Sequence, residues 1–132
     1  MAKSRIRKFR ESFLYAGRGL RLCITGERNF RVHMTAAFYV TAAAVMGHVT
    51  STEAAVLCLC FGLTMGAELM NTAVERLCDK TARGYDRMVR DAKDIAAAAV
   101  FVCAAACVAV GVCIFLMHGV LAAALRFLAA RL

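Results

Sequence analysis

The longest apolar run of the chain limits its fold more than any other feature. Residues 95–117 contain no charged side chain: IAAAAVFVCAAACVAVGVCIFLM. As a helix rising about 1.5 Å per residue, this run reaches roughly 34 Å, enough to cross the ~30 Å hydrocarbon core of a bilayer. Two further apolar runs cover 32–49 and 54–75. We therefore predict an all-α integral membrane protein with three spans.

The composition agrees with this prediction. The 132 residues are 61% apolar, and the mean hydropathy is +0.64. A globule of this size could not hide so much apolar surface from water, because small domains bury a smaller share of their surface. The length allows only one domain, which we assign to residues 1–132. The composition thus excludes an ordinary soluble protein.

The segments outside the spans carry most of the charge. Residues 4–25 combine an apolar face with many basic side chains, which predicts an amphipathic helix lying at the membrane surface and ending near Gly26. Residues 79–91 are predicted to form a polar loop that turns at Gly84, with the next helix resuming near Arg90. The tail, 119–132, has a short amphipathic pattern to which we assign no role.

The distribution of basic residues predicts the orientation in the membrane. Of the 17 lysines and arginines, nine lie in residues 1–31 and six in residues 76–93. The connection at 47–53 has none. Because basic loops stay in the cytoplasm, we expect the N-terminus and the 76–94 loop on the cytoplasmic side, with the tail outside. Anionic lipid headgroups would also account for this basic face.

A polar stripe interrupts the second span. At 100° per residue it occupies one arc of about 80° on the helix. Charged residues inside a span are costly, so this stripe is a candidate functional site. Glu27, Lys93 and Asp94 are expected at the level of its cytoplasmic end. The stripe consists of Thr64, Glu68, Asn71, Glu75 and Asp79.

These carboxylates suit phosphoryl transfer, although other roles remain open. Mg²⁺ prefers carboxylate and phosphate oxygens, and phosphoryl transfer needs a metal, cationic groups and a base. Glu68, the deepest carboxylate, is the candidate base, while Glu27 and Glu75 suit the metal. The stripe could instead be a structural hydrogen-bond seam or an ion path of a small transporter. The scarcity of polar residues in the outer part of the second span argues against a continuous path.

Three sequence blocks carry a resemblance to a known family. ERNFRVH (27–33), AELMNTAVERLCD (67–79) and AKDIAAAAV (92–100) resemble the signature blocks of the prokaryotic diacylglycerol kinase family, which includes undecaprenol kinases. YAGRGL (15–20) is similar to the N-terminal helix of that family. The resemblance runs from about Lys8 to His118. Neither standard nucleotide-binding glycine motif is present.

The resemblance implies a homotrimer in the bacterial inner membrane, each subunit with a surface helix and three spans. It implies transfer of the γ-phosphate of Mg²⁺-bound ATP to the hydroxyl of a membrane lipid, with no nucleic acid involved. Glu68 matches the catalytic base, and Glu27 and Glu75 match the metal ligands. Asn71, Arg31 and Ala97 match supporting or substrate-facing positions. The positions that match nucleotide contacts are Lys8, Tyr15, Glu27, Glu75, Gly84, Tyr85, Asp86, Lys93 and Asp94.

Several of these residues have simpler explanations. Tyr15 could anchor the surface helix at the interface. Lys93 and Asp94 could be a charge pair at a helix start, and Arg31 could bind lipid headgroups. Close packing of helices is favoured by Gly62 and Gly66, which form a small-residue motif.

Two positions bear on the lipid substrate. His33 and Ala97 stand where the diacylglycerol kinases of Gram-negative bacteria tend to carry a second acid and a serine. An alanine offers no hydrogen bond to a glyceride ester, which fits a plain polyprenol chain. We therefore favour undecaprenol over diacylglycerol as the substrate.

Overall fold

The computed structural model describes residues 2–81, 84–119 and 129, and within them the chain forms four α-helices. They are α1 (Ala2–Gly26), α2 (Arg28–Met46), α3 (Ser51–Thr81) and α4 (Arg87–Met117). The predicted tail lies, apart from residues 119 and 129, outside the described residues. The all-helical prediction is confirmed for the described part of the chain.

α3 and α4 are the two helices long and apolar enough to cross a membrane, among the residues described. Each has 31 residues and extends past its apolar run into polar sequence. α2 has 19 residues, begins with two arginines in its first turn, and does not meet the same criterion. The two strongest predicted spans are therefore confirmed as candidates, and the span in α2 stays a prediction.

The helical conformation is interrupted between α1 and α2, as Gly26 predicts. Glu27 has extended backbone angles, φ −101° and ψ 120°, and its side chain does not cap α2. The Arg31 guanidinium instead reaches back to the last turn of α1, where Nη1 lies 3.4 Å from the Ile24 carbonyl oxygen and 3.3 Å from that of Thr25. These carbonyls have no partner inside the helix, so Arg31 completes the end of α1.

The polar loop between α3 and α4 is shorter than predicted. α3 continues to Thr81, and α4 begins at Arg87 rather than near Arg90. The Asp86 carboxylate causes the early start, because it accepts hydrogen bonds from the backbone nitrogens of Met88 (2.8 Å) and Val89 (3.3 Å). An aspartate at this position satisfies the free N–H groups of a first turn. The longer helices keep polar residues of α3 and α4 side by side.

At the end of the bundle where α3 begins and α4 ends, a capping interaction stabilises the start of α3. Thr50 donates from its backbone nitrogen (2.8 Å) and its hydroxyl (2.7 Å) to Glu53, whose own nitrogen lies 3.3 Å from Thr50 Oγ1. This is the reciprocal capping box of a helix start. His118 Nε2, just after α4, lies 2.9 Å from the same carboxylate. Hydrogen bonds from Thr50, and then from His118, lower the pKa of Glu53 to about 2.

We expect Glu53→Gln to lower the thermal unfolding midpoint of the detergent-solubilised protein near neutral pH. The pKa of this carboxyl is lowered in the folded chain, so its stabilising effect is complete above the ordinary value of 4.5 and is lost as the pH falls towards about 2. Differential scanning fluorimetry from pH 7 to pH 3 measures the effect. The gap between variant and wild type should narrow with acid, and a gap that stays constant contradicts the assignment.

The helices bury little apolar surface against one another. The core near the Glu53 end consists of Ala44, Leu57 and Ile114, one from each of α2, α3 and α4. Large side chains on the outer faces remain uncovered, including Phe38 (70% exposed) and Phe101 (73%). Apolar faces of this extent need lipid or further protein around them. The chain therefore has the surface of a membrane protein.

Candidate active site

The polar stripe of α3 faces a pocket between three helices. The pocket has a volume of about 310 Å³. Glu68 is 3% exposed and Asn71 8% exposed, so the polar groups are buried in the bundle. Further along the stripe, Glu75 is half-buried and Asp79 is exposed. The pocket is lined by Asn29, Val32 and His33 from α2, by Glu68, Asn71 and Glu75 from α3, and by Ala97, Val100, Phe101 and Ala104 from α4.

Glu68 has a close partner that the sequence analysis did not assign. His33 Nε2 lies 3.3 Å from Glu68 Oε1, and the two side chains are 25% and 4% exposed. We considered His33 only as a marker of the lipid substrate. The signal that could have identified it is its position near the start of the apolar run of α2, at the depth of Glu68 on α3.

Asn71 leaves one oxygen without a partner. Its Nδ2 donates to Glu75 Oε1 at 3.1 Å, while Oδ1 is buried and has no hydrogen-bond partner among the described residues. A buried carbonyl oxygen without a partner costs about 1–3 kcal/mol. An atom of this kind marks the place where a water, a cation or a substrate group completes the site.

Glu27 lies at the break between α1 and α2 and pairs with a residue of α3. The Nη2 atom of Arg76 on α3 lies 3.2 Å from Glu27 Oε1. The structure thus places Glu68 and Glu75 in one pocket, while Glu27 pairs with α3 outside the lining of that pocket.

The predicted metal ligands fit a cation that is coordinated by only a few protein oxygens. In the part of the chain that is described, no group of three or more His, Cys, Asp or Glu residues is arranged to hold a metal by itself. The pocket itself offers the carboxylate of Glu75 and the free oxygen of Asn71, and Glu27 lies outside its lining. Mg²⁺ is commonly held by one or two carboxylates, with waters and substrate phosphates filling the other positions. The residues fit such an ion.

The predicted nucleotide residues of α3 and α4 lie at the mouth of the bundle. Lys93 Nζ is 2.7 Å from Asp79 Oδ1, and this hydrogen bond raises the pKa of the lysine. Arg90 lies between Asp94, with an N–O distance of 3.6 Å, and the hydroxyl of Tyr85 at 3.3 Å. These residues surround the cytoplasmic end of the stripe in the predicted topology, although they do not line the pocket itself.

Of the remaining predicted residues, Ala97 lines the pocket and the others lie apart from its lining. Lys8 and Tyr15 are exposed on α1, and the Tyr15 ring contacts Arg18, whose guanidinium carbon is 5.9 Å from the ring centre. Gly84 lies in a bend of the loop before α4, and Asp86 caps that helix. Arg31 is used at the end of α1, as described above.

Comparison with known proteins identifies the family. The model of the family described as "Prokaryotic diacylglycerol kinase" matches residues 14–115. The chain is 41% identical over 106 residues to a protein of a Synechocystis species named "Diacylglycerol kinase", covering 80% of this chain and 61% of that protein. It is 33% identical over 114 residues to a Bacillus subtilis protein named "Undecaprenol kinase", covering 86% of this chain and 93% of that protein.

These matches decide between the alternatives that the sequence left open. The chain spans about three-fifths of the length of the Synechocystis relative and nearly all of the Bacillus one. Both names describe lipid kinases, and nothing in the comparisons supports a transporter. The family match covers the stretch from α1 to α4 that contains the pocket. The chain belongs to the prokaryotic diacylglycerol kinase family, a family of membrane lipid kinases.

Proposed function

We propose that this protein transfers the γ-phosphate of Mg²⁺-bound ATP to the hydroxyl of a membrane lipid alcohol. The observation that carries the proposal is the buried Glu68 carboxylate in a polar pocket that shares two lining residues, His33 and Ala104, with an apolar cavity. The apolar cavity has a volume of about 340 Å³ and lies between α2, α3 and α4. A lipid alcohol has these two parts, a polar hydroxyl and an apolar chain.

The chemistry then follows from the side chains of the pocket. Glu68 accepts the proton of the lipid hydroxyl, so that the oxygen can attack the γ-phosphorus. Glu27, Glu75 and the free oxygen of Asn71 would hold Mg²⁺, which supplies charge neutralisation on the phosphates when bound. Lys93 brings a positive charge to the mouth of the bundle, where the polyphosphate would approach. The apolar lining from α4 keeps bulk water away from the reacting hydroxyl.

We propose undecaprenol as the preferred lipid, with diacylglycerol second. The lining of the second cavity is almost entirely apolar, and its polar members are His33, Thr64 and two cysteines. Thr64 donates its hydroxyl to the Cys60 carbonyl oxygen at 3.1 Å, so that hydroxyl proton is already used. A polyprenol chain has no hydrogen-bonding group along its length, whereas a glyceride has ester carbonyls that need hydrogen-bond donors.

We also propose a homotrimer with its N-terminus in the cytoplasm. The small-residue motif of α3 supports the first part, because a Cβ atom added at Gly62 or Gly66 would meet no atom within 4 Å among the described residues. This face is therefore not used for packing inside the chain and is open to a second copy. The basic residues near α1 and between α3 and α4 support the orientation.

The proposal is tested by turnover of the purified protein in mixed micelles. ATP, Mg²⁺ and either undecaprenol or dioleoylglycerol are supplied, and the phosphorylated lipid is separated and counted. We expect lipid phosphate with at least one of the two lipids, and little ATP hydrolysis without lipid. A rate of ATP hydrolysis that neither lipid changes, with no lipid phosphate formed, would contradict a lipid kinase.

We expect Ala97→Ser to shift the preference towards diacylglycerol. The new hydroxyl would lie in the pocket that Glu68 also lines and could donate to a glyceride ester. One net hydrogen bond of ~1 kcal/mol corresponds to up to about a tenfold change in the ratio of kcat/KM values. Competition between the two lipids in one assay measures the ratio. The matched control is Ala98→Ser, one position away and outside the pocket lining.

A clear preference of the unmodified protein for diacylglycerol would contradict our choice of substrate. It would leave the kinase proposal in place, because both lipids present a hydroxyl to the same carboxylate.

A further inference from the structure

His33 occupies a position that the transfer reaction alone does not explain. Together with Ala104, it is one of two described residues that line both the polar pocket and the apolar cavity, and it is the one of the two that can bind a proton. Its Nε2 atom lies 3.3 Å from Glu68 Oε1. Its side chain is 25% exposed, while that of Glu68 is 4% exposed. The imidazole is therefore the more exposed member of the pair, and it lines the same polar pocket as the buried carboxylate.

Each turnover of the proposed reaction leaves a proton behind. The lipid O–H bond breaks, the oxygen forms a new bond to the γ-phosphorus, and the bond from that phosphorus to the bridging oxygen of ADP breaks. The products are the lipid phosphate, ADP and one proton, which Glu68 has taken from the hydroxyl. Glu68 must lose this proton before it can act again. Because the carboxyl group is almost completely buried, water has little direct access to it.

The surroundings of Glu68 leave few acceptors for this proton. α4 contributes only Ala97, Val100, Phe101 and Ala104 to the pocket, and none of these binds a proton. On α3, Glu75 is two turns away and already accepts a hydrogen bond from Asn71. Arg76 and Glu27 are engaged with each other. On α2, the side chain of Asn29 does not titrate, which leaves His33.

We infer that His33 carries the proton of each turnover from Glu68 to the solvent. Its Nε2 accepts the proton from the carboxyl group, and the imidazole then releases a proton to water at the mouth of the polar pocket. An imidazole suits this step, because it binds and releases protons readily near neutral pH. The 3.3 Å separation is close to hydrogen-bonding range, and such contacts commonly tighten when substrate binds.

The inference rests on the proposed kinase function and makes His33 a positioning residue that acts through Glu68. It does not touch the phosphate, so its loss should slow the recovery of the base rather than the transfer. In His33→Ala, we expect steady-state kcat to fall roughly 10- to 10²-fold, at or below the lower end of the range for positioned acid–base groups. The KM values for ATP and lipid should stay near those of the wild type.

Two measurements separate a proton path from simple packing. With enzyme in excess over ATP, His33→Ala should complete a single turnover at close to the wild-type rate, because Glu68 starts without a proton. Free imidazole added to the steady-state assay should restore part of kcat, in a dose-dependent and saturable way. The same imidazole should not restore Glu68→Gln, which lacks the base itself.

The matched control is His48→Ala, which removes a histidine from the α2–α3 turn, outside the lining of both cavities. It should keep wild-type turnover and show no response to imidazole. A folded His33→Ala protein with unchanged kcat, or with a loss that imidazole does not restore and that also appears in the single turnover, overturns the inference. Absence of lipid phosphorylation by the wild type would instead contradict the proposed function.

Discussion

Glu68→Gln is expected to reduce kcat for lipid phosphorylation by about 10³-fold, within the 10²–10⁴-fold range of general-base catalysis. Glutamine keeps the size of the side chain and its place beside His33. It cannot take a proton from the lipid hydroxyl. The loss should therefore fall on kcat and kcat/KM, with Mg²⁺-ATP binding and the folded state largely retained.

Initial rates in mixed micelles, together with calorimetric binding of Mg²⁺-ATP, measure this effect. The matched control is Glu11→Gln, which makes the same chemical change in an exposed carboxylate that pairs with Arg7 at 3.5 Å on α1. The control should retain the rate of the wild type. Near-wild-type turnover in purified Glu68→Gln would remove this residue from the role of base.

The second large effect is expected at the proposed metal ligands. Glu27→Ala and Glu75→Ala should each weaken the apparent affinity for Mg²⁺ in the ATP-dependent reaction, by roughly 10- to 100-fold, the scale found when groups that support a bound metal are removed. Each change removes one hard oxygen ligand and leaves the other. Excess Mg²⁺ should restore part of the rate, because the remaining oxygens still define the site.

The double variant provides the stricter test. If Glu27 and Glu75 serve one cation, the combined effect should be smaller than the sum of the two separate free-energy changes. The control is Asp91→Ala, which removes an exposed carboxylate that pairs with Arg87 at 3.8 Å within α4. An unchanged Mg²⁺ dependence in both single variants would show that these carboxylates do not share a metal.

Local sequence signals predicted much of the helical framework. Gly26 marks the end of α1, and the uncharged run of α4 predicts a long apolar helix, both as found. The α3–α4 loop was placed less well, because several residues in it are acceptable inside a helix. The early start of α4 depends on Asp86 turning its carboxylate onto two backbone nitrogens, which a hydropathy pattern does not register.

For the candidate site too, features within one helix were predictable from the sequence, whereas contacts between helices were not. The periodicity of α3 predicts that Glu68, Asn71 and Glu75 share a face, and all three line one pocket. The contact between His33 and Glu68 joins residues from different helices, so it depends on how α2 packs against α3 rather than on spacing along one helix. The use of Arg31 at the end of α1 was missed for a related reason. A long arginine side chain can reach many hydrogen-bond acceptors. Which of them it contacts depends on how the backbone turns between α1 and α2.

The Glu53–His118 pair and the small core beside it have a consequence for the energetics of the reaction. Together they close one end of the three-helix bundle, whereas Glu68, His33 and Lys93 lie towards the other. In the proposed topology, the nucleotide, the metal and the released proton all enter and leave at the cytoplasmic face. No net charge then moves through the electric field of the bilayer during a cycle, since the work of moving a charge depends on the potential it crosses. The phosphorylation equilibrium is therefore independent of the membrane voltage, and a cell that loses its proton-motive force keeps this reaction as long as ATP remains.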